Sequence, residues 1–438
     1  MKPIIKVFLL SIATLIAFGQ TKKVFILEIK SEIDPRMSRY VDLALKDATD
    51  QNADYILIEM DTFGGALDDA DKIRTAILNY PKPVLVFINK NAASAGALIS
   101  IACDSIYMAQ GSSIGAATVV NGSDGLAAPD KYQSYMRSIM RATAETNHRD
   151  PKIAEAMVDQ DIILDSTIKR DGKVLTFTTS EAIKYNFCEA SVSNNVEILK
   201  LNNISDASVI RYEPSMTEKI ISLFLNPAVS SILILIMIGG IWFELQSPGI
   251  GFALLAAVLA AVLYFTPYYL NGLAENWEIL IFVVGVILLG LEIFVIPGFG
   301  LTGVSGIICI FASLILSMLN NDYFNFEFVK SADIFTSLLI VLSSFILTIG
   351  LLFFAGSRIL ESRMLKRVAL QDTHIQPIKK ETQYTGLIGT AQTVLRPSGK
   401  VQLETGVFDA FTAGEYIEKD EQIIVLGEIN GSLKVKKA

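Results

Sequence analysis

From about Pro227 to Gly356 the chain is a succession of long apolar segments, near Ala228–Phe243, Ile250–Leu270, Ile279–Ile296, Leu301–Leu319 and Ile334–Ala355. A bilayer core of roughly 30 Å takes about 20 helical residues to cross. Backbone inside it must satisfy its own hydrogen bonds. These stretches therefore predict a block of about five membrane-spanning α-helices, the first being short and ending at Trp242, Phe243 and Glu244. With 51% hydrophobic residues in 438, the chain is too apolar for an ordinary soluble protein. Its net charge of −8, with no basic face to neutralise phosphates, excludes a nucleic-acid binder.

The flanks of these segments set an orientation. Between Asn320 and Asp333 three acidic residues oppose Lys330, whereas Arg358, Arg363, Lys366 and Arg367 crowd the end of the last segment. The positive-inside rule then places the tail in the cytoplasm. An odd number of spans puts the region before Pro227 outside it. The N-terminus agrees: Lys2 and Lys6 precede an apolar run from Val7 to Phe18, the pattern of a signal peptide or single anchor over residues 1–20. Within the membrane block "FELQSPGIG" and "LEIFVIPGFG" form a weak repeat, in which Glu244 and Glu292 each precede a Pro-Gly pair that breaks the helix. Intramembrane carboxylates often mark ion paths. At a helix break close to the interface, a structural role is the expected one.

Residues 21–212 have the pattern of an α/β domain. "VFILEI", "DYILIEM" and "PVLVFIN" are short β-branched runs suited to buried strands, and Arg36–Ala53 and Ala66–Asn79 carry apolar residues at helical spacing. Alternating strand and helix predicts parallel pairing with crossover helices. After a polar connector over 357–383, residues 384–438 show short alternating strands and frequent glycines, which predicts a five-stranded β-barrel of the OB-fold type. Lacking a basic stripe interleaved with aromatics, this barrel is expected to be an interaction module rather than a nucleic-acid binder. Cys103, Cys188 and Cys309 have no CxxC spacing, so no zinc site or other metal centre is indicated and no cofactor is expected. A Cys103–Cys188 disulfide is open to an exported domain, but buried free thiols are the simpler expectation.

The chemistry centres on "NKNAASAGALIS". Its small residues let a helix pack closely on a strand, and that alone would account for them. Ser94, however, follows a strand and opens a helix over Ser94–Cys103, where the macrodipole and free N–H groups favour a developing oxyanion. A second turn, "DTFGGALDDA", places Gly64 and Gly65 after the neighbouring strand, where amides can approach a substrate carbonyl. Two such turns at adjacent parallel strand ends make a cleft. A serine nucleophile needs a base. His374 falls in the cytoplasmic connector, and His148 reads as a surface residue near a helix end, so a Ser-His-Asp triad fits poorly. A lysine can serve when burial lowers its pKa. Lys131, in "GLAAPDKYQSYMRSIM", opens a helix after a glycine- and alanine-rich loop, although a solvated lysine gives the same pattern.

The segments "DTFGGALDDA", "NAASAGALISIACDSIYMAQGSSIGAA" and "APDKY", followed by spans with "SPGIG" and "IPGFG" and a β-rich end, resemble the long-form NfeD family with its ClpP-class membrane serine protease domain. The resemblance covers nearly the whole chain. It implies a ClpP/crotonase-like α/β fold and a Ser-Lys dyad of Ser94 as nucleophile and Lys131 as general base. The amides of Gly65 and Ala95 would form the oxyanion hole. It further implies cleavage of hydrophobic peptide stretches through an acyl-enzyme, a stomatin-like SPFH membrane protein as partner and, by analogy with assembling ClpP-like domains, a homo-oligomer. Phe63 departs from the usual Asp-Thr-Pro-Gly-Gly, and loss of that proline alters the rigidity expected of the turn that carries Gly65. Two alternatives stand beside the protease: a non-catalytic scaffold for the SPFH partner, and a crotonase-type acyl-CoA enzyme, which export disfavours because CoA substrates are cytoplasmic.

Overall fold

The computed structural model describes residues 21–164, 168, 172–246, 251–296, 300–321, 325–360, 384–429 and 431–438. The leader expected over 1–20, connector residues 361–383 with His374, and both Pro-Gly pairs of the repeat lie outside the described residues. The chain divides into two units, Met1–Ile359 and Leu360–Ala438.

In the first unit the elements run β1 (Lys23–Ile29), α1 (Pro35–Asp50), β2 (Tyr55–Thr62), α2 (Leu67–Leu78), β3 (Val84–Ala93), α3 (Ala95–Ala102), β4 (Ser105–Met108) and β5 (Ser113–Gly115). There follow α4 (Asp130–Thr146), α5 (Pro151–Ala156), β6 (Thr176–Thr178), α6 (Thr179–Lys184), β7 (Ala190–Ser191), α7 (Asn195–Leu201), β8 (Ser208–Arg211) and α8 (Met216–Phe224). The eight strands form one sheet in the order β6-β5-β3-β2-β1-β8, with β4 pairing β3 and β7. All pairings are parallel except β5 with β6. Strand β3 forks: Leu85–Ile88 pair with β4, and Asn91–Ala93 pair with β5.

Strand side chains alternate between faces. Phe25, Leu27 and Ile29 of β1, with Ile56, Ile58 and Met60 of β2, join the core beneath helices α1 to α4. Val24, Ile26 and Leu57 face the other way, against Ile198 and Leu199 of α7. Burial on both faces explains why these strands read as continuous apolar runs. Each such side chain contributes roughly 1.5–3 kcal/mol. The three cysteines are free. Burial pushes the Cys103 thiol far above its usual range and that of Cys188 up to about 12, so neither supplies thiolate at neutral pH.

The membrane block follows as α9 (Pro227–Gln246), α10 (Phe252–Leu270), α11 (Asn276–Phe294), α12 (Leu301–Leu316) and α13 (Ser331–Leu360). Among the described residues four helices are long and apolar enough to cross a membrane. The shorter one is Leu301–Leu316 rather than the first, which provides 19 such residues over Pro227–Leu245. The repeat acquires a structural meaning. Glu244, near the end of α9, accepts from the Gly251 and Leu254 amides at the start of α10 (3.3 and 3.4 Å). Glu292, near the end of α11, accepts from the Gly300 amide and the Thr302 hydroxyl at the start of α12. Each carboxylate thus satisfies otherwise unpaired donors at the next helix N-terminus, where negative charge is favoured.

Successive helices alternate in direction, and one set of ends meets the α/β domain. Arg39 bonds Glu218 of α8 (2.8 Å) and the Leu270 carbonyl at the end of α10 (3.1 Å). Lys330, before α13, pairs with Glu32 (2.6 Å), and the Ser331 hydroxyl donates to the Ser123 carbonyl (3.1 Å).

The second unit contains β9 (Ile388–Ala391), β10 (Ser398–Leu403), β11 (Gly406–Phe411), β12 (Gln422–Ile429) and β13 (Ser432–Lys437), closed in the order β10-β11-β13-β12-β9. Only β11 and β13 are parallel. This is the five-stranded closed barrel expected from the sequence, around Leu395, Val401, Ile423, Val425 and Val435.

Candidate active site

Ser94 occupies the single residue between β3 and α3, as the N-cap of α3, with φ 54° and ψ −118°. Positive φ in a residue with a Cβ is a strained arrangement. It is held by the surrounding structure: the Ser94 amide donates to the Gly115 carbonyl (3.0 Å), and the Ser94 carbonyl accepts from the Ala97 amide (2.9 Å). The far end of α3 is held as firmly. The buried guanidinium of Arg149 donates to the carbonyls of Ile101 and Cys103 (both 3.0 Å) and Asp104 (3.3 Å), while Asn147 also reaches Ile101 (2.8 Å). These side chains satisfy carbonyls that a helix C-terminus leaves open.

Thr62 pins the facing turn, its hydroxyl donating to the Ser31 carbonyl (2.7 Å) and accepting from the Gly64 amide (3.2 Å). Gly64 has φ 108°, and a Cβ there would lie 2.6 Å from the Ser94 Cβ and 3.1 Å from its Oγ. The serine side chain therefore faces this turn directly. A Cβ on Gly65 would fall 2.0 Å from the Ile33 carbonyl oxygen, so backbone packs on backbone. The neighbouring Ile33 N–H to Gly64 O and Ala66 N–H to Ile33 O bonds (2.9 and 2.7 Å) fix the turn, whereas the Gly65 and Ala95 amides have no hydrogen-bond partner among the described residues. Tight packing and a presented serine coexist: Ala92, Ala95 and Ala97 are buried while Ser94 is half-buried at a cavity.

That cavity, about 1040 Å³, is lined by Ser94, Ala95, Gly64, Gly65, the Ala116–Val120 stretch and Phe63. Phe63, in place of the expected proline, is 81% exposed at its edge. Three cationic side chains also line it, and each is held by a carboxylate: Lys30 by Glu59 (2.8 Å), Arg36 by Asp34 (2.5 Å) and Lys330 by Glu32 (2.6 Å). Burial opposes the charge on Lys30, but bonds from Glu59 and Glu28 hold its pKa above the ordinary value. A paired, charged lysine is a poor proton acceptor.

Lys131 lies in the first turn of α4 and is exposed. Its ammonium sits over the Tyr132 ring, 4.4 Å from the centroid, and does not line the cavity. Among the described residues no hydrogen bond joins Lys131 to Ser94. Tyr132 in turn contacts the loop before α13, its hydroxyl donating to Glu327 (3.3 Å) and its ring meeting Phe328 edge-on at 4.8 Å. His148 is exposed just beyond α4. Among the described residues no three His, Cys, Asp or Glu side chains converge as a metal would require. The structure thus brings together Ser94, Gly65 and Ala95 and leaves Lys131 apart. Arg149, which anchors the far end of α3, gave no signal in the sequence beyond being a charge after a helix.

The family model described as the NfeD1b N-terminal domain matches residues 23–212, and that of the NfeD integral membrane domain matches residues 228–357. The chain is 32% identical over 435 residues to the membrane protein NfeD1b of Bacillus subtilis (strain 168), covering 97% of this chain and 95% of that protein. It is 26% identical over 435 residues to the membrane-bound protease PH1510 of Pyrococcus horikoshii, covering 92% and 90%. Among solved structures it is similar to the 1510-N membrane protease specific for a stomatin homolog from Pyrococcus horikoshii, at 26% identity and a TM-score of 0.36, over 47% of this chain and 100% of that one.

Proposed function

Because the chain belongs to the NfeD family of membrane proteins, we propose that it is a membrane-anchored serine endopeptidase that cleaves hydrophobic stretches of membrane-associated proteins. The observation that carries this reading is the strained Ser94, turned toward a glycine turn and flanked by two unbonded amides. The Ser94 Oγ attacks a peptide carbonyl while Lys131 takes its proton, and the tetrahedral oxyanion accepts from the Gly65 and Ala95 amides. Collapse breaks the C–N bond. The leaving amine takes the proton from Lys131 and an ester to Ser94 remains. Lys131 then removes a proton from water, the hydroxide attacks the ester, and Ser94 recovers its proton as the acid leaves. For this cycle the Lys131 side chain must leave the Tyr132 ring and reach Ser94.

The barrel is assigned to the cytoplasm on the basic residues that follow α13, and the α/β domain to the extracytoplasmic side by counting all five helices α9 to α13, the shorter α12 included, as crossings. A stomatin-like SPFH membrane protein is the proposed partner, in keeping with the specificity named for 1510-N. The competing reading is a non-catalytic scaffold for such a partner, and the separation of Lys131 from Ser94 favours it. To decide, the full chain in nanodiscs is incubated with apolar peptides and products are read by mass spectrometry, beside Ser94→Ala and Lys131→Ala. Cleavage by the wild type alone supports the dyad. Cleavage by Ser94→Ala at the wild-type rate overturns the assignment, and an inert wild type supports the scaffold.

A further inference from the structure

The cavity beside Ser94 does not end at the α/β domain. Its opposite wall is built by Leu225, Pro227, Tyr268, Leu273, Met318 and Ile340. Pro227 begins α9, Tyr268 is in the last turn of α10, Leu273 precedes α11, Met318 follows α12, and Ile340 lies in the first third of α13. All but Ile340, which lies nearly three turns into α13, sit at or beside the helix ends that meet the α/β domain, so most of this wall stands at one surface of the membrane block. The cavity is two-sided in chemistry. The paired charges of Lys30, Glu32, Asp34 and Arg36 line it from the α/β domain; from the membrane block an apolar patch of Leu225, Pro227, Leu273, Met318 and Ile340 lies beside the polar Asn320, Lys330, Asp333, Thr336 and Ser337.

Its volume of about 1040 Å³ lies at the top of the roughly 300–1,000 Å³ range of small-ligand sites, enough for several peptide side chains. Polar seams hold the α/β domain to the helix ends, through Arg39 with the Leu270 carbonyl and Lys330 with Glu32, while the cavity stays open to Ser94.

We propose that the membrane helices supply part of the substrate site. Leu273 and Met318 are specificity-determining residues that receive an apolar segment lying immediately beside a membrane span of another protein. This rests on the protease reading above and specifies its substrate. A chain segment leaving a bilayer at its surface enters the cavity at the level of these helix ends. It meets apolar side chains there and reaches Ser94 within the same cavity. A soluble peptide lacking such a segment forgoes the helix-end contacts, which apolar burial makes favourable.

The test uses the full chain in nanodiscs and two probes: an apolar dodecapeptide fused to a bilayer-spanning Leu/Ala helix, and a short soluble ester that reaches only Ser94. In Leu273→Ser/Met318→Ser we expect KM for the anchored probe to rise at least tenfold with kcat within twofold, and turnover of the ester to be unchanged, which also reports an intact fold. An unchanged KM for the anchored probe, or equal losses on both probes, overturns the proposal. Binding is read separately in Ser94→Ala carrying a photo-crosslinker in place of Met318. Crosslinking to the anchored probe supports the wall even if the protease reading fails, and crosslinking only to a second copy of this chain overturns it.

Discussion

The backbone at Ser94 makes a test of stability against chemistry. Ser94→Ala and Ser94→Gly both remove the hydroxyl, so both should lack turnover. They differ in what φ 54°, ψ −118° costs them. A residue with a Cβ held in a sparsely populated backbone region costs about 1–3 kcal/mol. Glycine avoids that cost but loses about 0.4–1 kcal/mol through its freer unfolded chain. The glycine variant should therefore exceed the alanine variant by about 0.5–2 kcal/mol. Both tryptophans, Trp242 and Trp277, lie in the membrane block, so indole fluorescence does not follow the α/β domain. Pulse proteolysis in urea, with fragments of residues 21–212 followed by mass, reads it directly. With a urea dependence of about 2–3 kcal/mol per molar, the midpoint for Ser94→Gly should lie about 0.2–1 M higher. An alanine variant as stable as the glycine variant would refute the claim that the fold holds Ser94 under strain.

Two further outcomes follow from buried charge. Burial pushes the Glu59 carboxyl up, but bonds from Lys30, Arg211 and Asn195 outweigh it and hold it at about 2, against an ordinary 4.5. A depressed pKa gives stability that is full above the unfolded value and is lost as pH falls through the folded one. Acid should thus weaken the α/β domain between about pH 4.5 and 2, and Glu59→Gln should flatten that dependence in urea midpoints measured across it. Arg149→Met leaves the α3 carbonyls without their donors at about 1–3 kcal/mol for a buried unsatisfied group, so we expect a loss of at least about 2 kcal/mol by the same proteolysis and a lower kcat. Wild-type kcat with lowered stability would separate the anchor from catalysis.

The parts of this molecule legible in the sequence are those governed by short-range pattern. Runs such as "VFILEI" announced strands because both their faces are buried, and the barrel followed from alternation and turns. Ser94 was visible because a helix that opens against a strand needs small neighbours. Contacts between distant residues left no such trace. Tyr132 and Glu327 are 195 positions apart, and nothing around "APDKY" signals that the ring beneath the Lys131 ammonium is held by a membrane loop. Nor does any local pattern reveal that Met318 and Ser94 line one cavity, or that Arg149 ties off α3 at Cys103, 46 residues away. The minor strands β6 and β7, of three and two residues, are too short to carry a period.

Gly122 lies flush against the membrane loop: its amide donates to the Glu327 carbonyl (3.1 Å), and a Cβ there would fall 2.3 Å from the Phe328 carbonyl oxygen. Backbone against backbone admits no adjustment by a side chain, so this seam acts as a compatibility mark for domain shuffling. A chimera that joins this membrane block to a foreign α/β domain with any larger residue at that point must push the loop away, and with it the residues that steady Tyr132. Recombination between relatives would then succeed or fail at a single glycine that lines the Ser94 cavity without touching Ser94's own turn, however well the rest of that cavity was preserved in the graft.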